Sequence, residues 1–191
     1  MKSRTKKLSL WLMGAFIVLV AANKDAKAVT SQVLDIHVSI NATKSLSVGT
    51  TYYNYGALAV NTSSVSATAL VVTNNSSGLI ETYRMVAGNA TSDAGGTNWT
   101  LAASTGSADQ YAIDAIFATT APTNVDANWA SDALSAVVTT CSSTQFGNGT
   151  LAEAGASVTP SATRNLWFRI HTPTTLSDTG AHTAQVTLSI L

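Results

Sequence analysis

The side chains able to do chemistry are few and scattered. His37, His171 and His182 are the only histidines, and no two stand at a spacing such as His-x-x-x-His that places two imidazoles on one metal ion. Serine is abundant, yet Gly-x-Ser-x-Gly, the turn that presents an activated serine, is absent. Asp109 and Asp114 are near enough in sequence to weigh as a glycosidase pair, which needs two carboxyls roughly 5 to 10 Å apart. Asp114 falls inside an alternating run, so an outward, solvated position is expected for it; His37 and His182 are likewise expected on outward faces. These residues predict no catalytic constellation, no enzyme and no cofactor.

Two other patterns point to binding. Asn124, Asp126, Asn128 and Asp132 place oxygen ligands at positions 1, 3, 5 and 9 of a calcium-type loop. Trp129 stands where such a loop needs Gly, and Ser135 where it needs a bidentate Glu, so the metal reading is incomplete. Trp99, Trp129 and Trp167 are candidate platforms for stacking on a sugar ring. Trp167 alternates with Leu166 and Phe168, which predicts Trp167 outward and Arg169 beside it on the same face. Trp167, Arg169 and Trp99 are therefore the expected contact residues for a glycan or a protein partner.

The elements that must position these groups are strands. Residues 33–40 alternate cleanly, with Leu34, Ile36, Val38 and Ile40 on one side and Asp35, His37 and Ser39 on the other. Residues 44–48, 64–73, 79–87, 99–102 and 111–118 read as further strands, and 74–78 (Asn-Asn-Ser-Ser-Gly) as the turn of a hairpin joining 64–73 to 79–87. Two period-2 runs close the chain, 164–171 and 182–191, with a Pro- and Gly-bearing loop between them that predicts a terminal hairpin. Residues 119–157 are the least regular, with 129–138 open to one or two helical turns or an edge strand. About eight short strands with turn signals roughly every ten residues point to an all-β, antiparallel β-sandwich.

Composition sets the compartment. Lys2, Arg4, Lys6 and Lys7 precede the apolar run 8–22, and Ala26-Lys27-Ala28 supplies a small-x-small cleavage site. This is the pattern of a signal peptide over residues 1–28, leaving a single domain at 29–191. After cleavage, Lys44, Arg84, Arg164 and Arg169 face nine acids, a net charge of −5 that repels phosphate backbones. Nucleic acid is not an expected partner, nor is a membrane once the leader is gone. Only 10% of residues are charged, against roughly 25% in an average domain, while 46% are hydrophobic. Such a chain is too apolar to be disordered. Cys141, the sole cysteine, excludes an internal disulfide and is expected either buried as a small hydrophobe or bridging two chains. Seven Asn-x-Ser/Thr sites, at Asn41, Asn61, Asn74, Asn75, Asn89, Asn98 and Asn148, matter only in a host that glycosylates.

Two segments carry a family likeness. Val48-Gly-Thr-Thr-Tyr-Tyr-Asn-Tyr-Gly-Ala-Leu58 with Ala69-Leu-Val-Val-Thr-Asn-Asn-Ser-Ser-Gly78 resembles the opening of bacterial immunoglobulin-like modules of secreted and surface proteins. Leu166-Trp-Phe-Arg-Ile-His-Thr-Pro173 with residues 180–191 is similar to their closing strands. The resemblance implies a sandwich outside the cytoplasm and carries over no catalytic or ligand residue. The expected function is that of a non-enzymatic secreted or cell-surface structural protein, working through other subunits or surface components, such as a unit of a surface layer or filament. Terminal strands suit strand exchange between subunits, although a partner for the last strand within the terminal hairpin would make exchange unnecessary. The alternative is a carbohydrate-binding module using an exposed tryptophan.

Overall fold

A computed structural model describes residues 36–104, 107–125 and 129–191. The expected signal peptide and the first three residues of the run 33–40 lie outside the described residues. The chain divides into Met1–Ile40 and a compact unit, Asn41–Leu191.

Within the compact unit the described residues form strands, turns and loops, with no α-helix among them. The strands are β1 (Leu46–Val48), β2 (Ser63–Val65), β3 (Leu70–Asn74), β4 (Tyr83–Ala87), β5 (Thr91–Ser92), β6 (Thr100–Leu101), β7 (Gln110–Phe117), β8 (Thr139–Thr140), β9 (Thr163–His171), β10 (His182–Thr183) and β11 (Val186–Ile190). The largest sheet runs β1-β3-β9-β7-β6, with β2 also paired to β9. A second sheet runs β11-β4-β8, and β10 and β5 form a small pair. Every pairing between these strands is antiparallel except β6 with β7.

Alternation explains the core. Tyr111, Ile113, Ala115 and Phe117 of β7, Leu166 and Phe168 of β9, and Leu70 and Val72 of β3 meet Tyr83, Met85 and Ala87 of β4 in one apolar cluster. Phe146, Leu134 and Val158 complete it from the irregular region. Each large apolar side chain so buried contributes about 1.5–3 kcal/mol. Adding a Cβ at Gly155 would bring it 2.5 Å from the Phe117 ring, so the chain passes close there only because it carries glycine.

Four expectations about the strands are corrected. Residues 36–40 do not form a strand; they are exposed and without regular structure. Their alternation is real, but a strand needs a partner to be stable, and none is present among the described residues. The run 64–73 is two strands, because β2 pairs with the end of β9 and β3 with its beginning. Residues 67–69 face only Trp167 between the two registers, so the chain bulges there.

The hairpin expected across 74–78 is replaced by a crossing to the other sheet. Asn74 is fully buried; its Nδ2 donates to Leu79 O and Val158 O at 2.9 and 2.8 Å, and its Oδ1 accepts from Ser76 N. That amide fastens the outgoing chain to residue 158 and steers it away from β3. The terminal hairpin is likewise absent: β9 belongs to the large sheet and β11 to the three-stranded one. Thr172 and Pro173 are held by Thr62, Ala59 and Asn61, so the chain continues straight past the end of β9. Ser177 is then pinned to Asp109 before β10 begins.

Candidate functional site

The faces of β7 and β9 turned away from the core bring a serine, an imidazole, a carboxylate and a guanidinium together. Asp114 and Arg169 are directly paired across the strands, and both are nearly inaccessible, 4% and 5% exposed. Asp114 Oδ2 lies 2.8 Å from both Nε and Nη2 of Arg169. The same oxygen lies 2.9 Å from His171 Nε2, and His171 Nδ1 lies 2.7 Å from the hydroxyl of Ser63. Ser63 faces His171 across the β2–β9 pairing. Trp129 roofs the network, with the Arg169 guanidinium 5.1 Å from its ring centre and its indole N–H donated to Thr123 O.

A serine, an imidazole and a carboxylate in a row is the arrangement that activates a serine for acyl transfer. Here the carboxylate is already neutralised by a permanent cation on the same oxygen, which weakens its hold on a developing imidazolium. An acyl-transfer site also needs N–H donors aimed at the reacting oxygen. The neighbouring amides of Asn61 and Thr62 are spent on Pro173 O and Thr172 Oγ1. The network reads as a buried ion pair that also holds the His171 imidazole and, through it, Ser63.

Asp114 is thus outward on its strand but covered, which corrects its expected solvated position. Its neighbours on that face gave the signal: Ala112, Ile116 and Ala118 make β7 apolar on both sides, the mark of a strand covered on both faces. Trp167 also occupies the outward face, yet it is 8% exposed, packs with Ile116, Ala118 and Trp129, and donates its indole N–H to Ala118 O. Neither Trp167 nor Arg169 presents a surface to solvent.

The other predicted residues are dispersed. Trp99 is half-buried and stacked on His182, with ring centres 4.0 Å apart, so one face of the indole is taken. Asn124 Nδ2 donates to Ser63 O, whereas Asp132 is buried and accepts the amides of Phe146 and Gly147. Those two members of the calcium spacing serve different partners, and Asp126 and Asn128 lie outside the described residues. Burial pushes the Asp132 carboxyl up to about 7, and its Oδ1 has no hydrogen-bond partner. His37 is exposed. Hydrogen bonds from Ser177 hold Asp109 below the usual carboxylate range. Cys141 is buried, and desolvation raises its thiol to about 12, which keeps it protonated and inert.

The second candidate region is the edge of β11, one of the terminal strands weighed above for strand exchange. Register places Ile190, Leu188 and Val186 of β11 opposite Tyr83, Met85 and Ala87 of β4. The β4 residues are 0%, 0% and 4% exposed, while their β11 partners, on the same inner face, are only half-buried. That drop marks a missing neighbour on the far side of β11. The hydrogen bonds Leu191 N to Thr82 O and Gly88 N to Gln185 O show that odd-numbered residues of β11 point their amides at β4. The N–H and C=O groups of Val186, Leu188 and Ile190 therefore point outward along an edge that no strand among the described residues pairs.

Across the core, β1 ends the large sheet with Leu46 and Val48 also half-buried. Lys44 Nζ donates to Leu191 O at 2.6 Å and places the start of β1 beside the end of β11. The two sheets thus leave apolar side chains uncovered on one common flank. Searches of protein-family models, curated proteins and solved structures found no match to this chain.

Proposed function

We propose that this chain is an exported, cell-surface structural protein, an immunoglobulin-like β-sandwich that acts through contacts with other protein subunits and builds a surface layer or filament. The observation that carries this reading is the outer edge of β11, which no strand among the described residues pairs, and where Val186, Leu188 and Ile190 offer apolar side chains and outward backbone groups together. An edge of this kind is a template for strand addition, which natural proteins block unless it is used. The leader-like residues 1–28 and the uncharged, Thr- and Ser-rich composition support a place outside the cytoplasm. The commitment of Asp114 to Arg169 supports a non-enzymatic role. The test is light scattering coupled to size-exclusion chromatography of the protein purified after export. The expected mass rises with concentration; a monomer at the highest concentration reached would overturn the proposal.

A further inference from the structure

We infer that the strand added to β11 is residues 36–40 of a second copy of this chain, an inference that rests on the assembly reading above and names its partner. The two segments match in length and pattern. Ile36, Val38 and Ile40 recur at every second position, separated by His37 and Ser39, and they are 79%, 79% and 86% exposed. No other stretch of the described chain leaves three alternate large aliphatic residues so bare. Val186, Leu188 and Ile190 repeat the same period over the same five residues, separated by Thr187 and Ser189. At about 3.3 Å per residue both spans are roughly 13 Å long.

The fit specifies its own register. Antiparallel addition with Val38 opposite Leu188 sets Ile36 against Ile190 and Ile40 against Val186, with all six apolar side chains on the inner face. The outward N–H and C=O groups of Val186, Leu188 and Ile190 then meet the C=O and N–H groups of Ile40, Val38 and Ile36, since alternate residues of a strand share a direction. A slip of one residue would put His37 and Ser39 into the apolar flank, so it is disfavoured.

A second copy fits better than the chain's own segment. Ser77 N donates to Thr43 O and Asn75 N to Ser45 O, so the chain is already bound along the large sheet at residues 43–45. Only Asn41 and Ala42 separate that tether from Ile40, and Lys44 sits at the end of β11. The chain's own segment could follow β11 only with Ile40 nearest Ile190, in the parallel sense, whose pairing is slightly weaker. A donor from another copy is free to run antiparallel. Donor and acceptor are different surfaces, so each copy gives at one and receives at the other, which generates a ring or an open filament.

The test uses two chains purified after export, each with one added cysteine beside the buried Cys141: Ser39→Cys in one and Thr187→Cys in the other. In the stated register these positions face each other as a non-hydrogen-bonded pair on the outer surface, the close pairing that a disulfide can bridge. Mixing them under mild oxidant is expected to give a crosslinked heterodimer. Val38→Asp in the donor chain is expected to abolish the crosslink and to raise the concentration needed for association about tenfold or more. A disulfide within one chain carrying Ser39→Cys and Ser189→Cys, the two positions that parallel self-filling sets opposite each other, with no 39–187 crosslink between chains, would overturn the inference by showing that each copy fills its own edge. Concentration-dependent assembly without any crosslink would overturn the donor assignment and leave the assembly reading standing. A monomer that never crosslinks would overturn both.

Discussion

The outward face of β7 and β9 and the outward edge of β11 are finished in opposite ways. On the first, the chain spends its irregular region as a roof: Trp129 covers Trp167 and Arg169, and a buried acid finds two cationic or imidazole partners. On the second, nothing from the described residues covers Val186, Leu188 and Ile190. The comparison separates residues that hold the unit together from residues available to a partner.

The sharpest way to break this contrast is Asp114→Ala. It removes the carboxylate that Arg169 Nε and Nη2 bond inside the covered face, and a loss of about 3–5 kcal/mol in chemical denaturation is expected. A variant as stable as the parent would mean that the roofed face is solvated after all. Trp129→Ala should cost about 3 kcal/mol or slightly more by removing the roof itself.

A paired measurement then tests the edge directly. Met85 and Leu188 face each other in one register, one fully buried and one half-exposed. In dilute, unassociated protein, Met85→Ala should cost about 2–5 kcal/mol and Leu188→Ala about half of that or less. Equal losses would show that β11 is covered. Concentrating the protein should bring the two losses closer, because association buries Leu188.

Smaller effects probe the roofed side. Burial raises the Asp132 carboxyl to about 7, with hydrogen bonds from Phe146 and Gly147 opposing the rise. Between about pH 4, where the unfolded chain releases this proton, and about pH 7, the folded chain keeps it. Stability from this group is therefore present at low pH and lost as pH rises to 7. Asp132→Asn should flatten that slope in thermal melts taken across the window; an unchanged slope would place its origin elsewhere. Last, a fluorophosphonate probe is expected to leave Ser63 unlabelled, whereas labelling that disappears with His171→Ala would turn the roofed network into a reactive site.

What could be read from the sequence follows from what alternation encodes. Period-2 runs located β7 and β9 almost to the residue and sorted Leu166 and Phe168 from Trp167 and Arg169 correctly. Alternation states which side of a strand is apolar; it does not name the neighbour. The turn-rich residues 74–78 and 172–181 look like hairpin loops, but their routes are set by remote anchors: Val158 O for Asn74, and residues 59–62 for Thr172 and Pro173. Those anchors lie 84 to 113 residues away, beyond any local pattern. Asp114 was misplaced for a similar reason, since its roof comes from a loop with no periodicity. The run 36–40 shows the converse case, a strand pattern without a strand.

One pairing has a consequence for how the molecule comes into being. The last strand, β11, joins β4 about a hundred residues earlier, and β9 joins β2 and β3 across similar separations and β7 across about half that. Neither sheet can be completed until residues 163–190 have been synthesised, and pairings this remote form slowly. The growing polypeptide therefore spends its synthesis without a finished core. That delay suits the export proposed above, which needs an unfolded chain, and it makes loss of residues 186–190 a defect in folding.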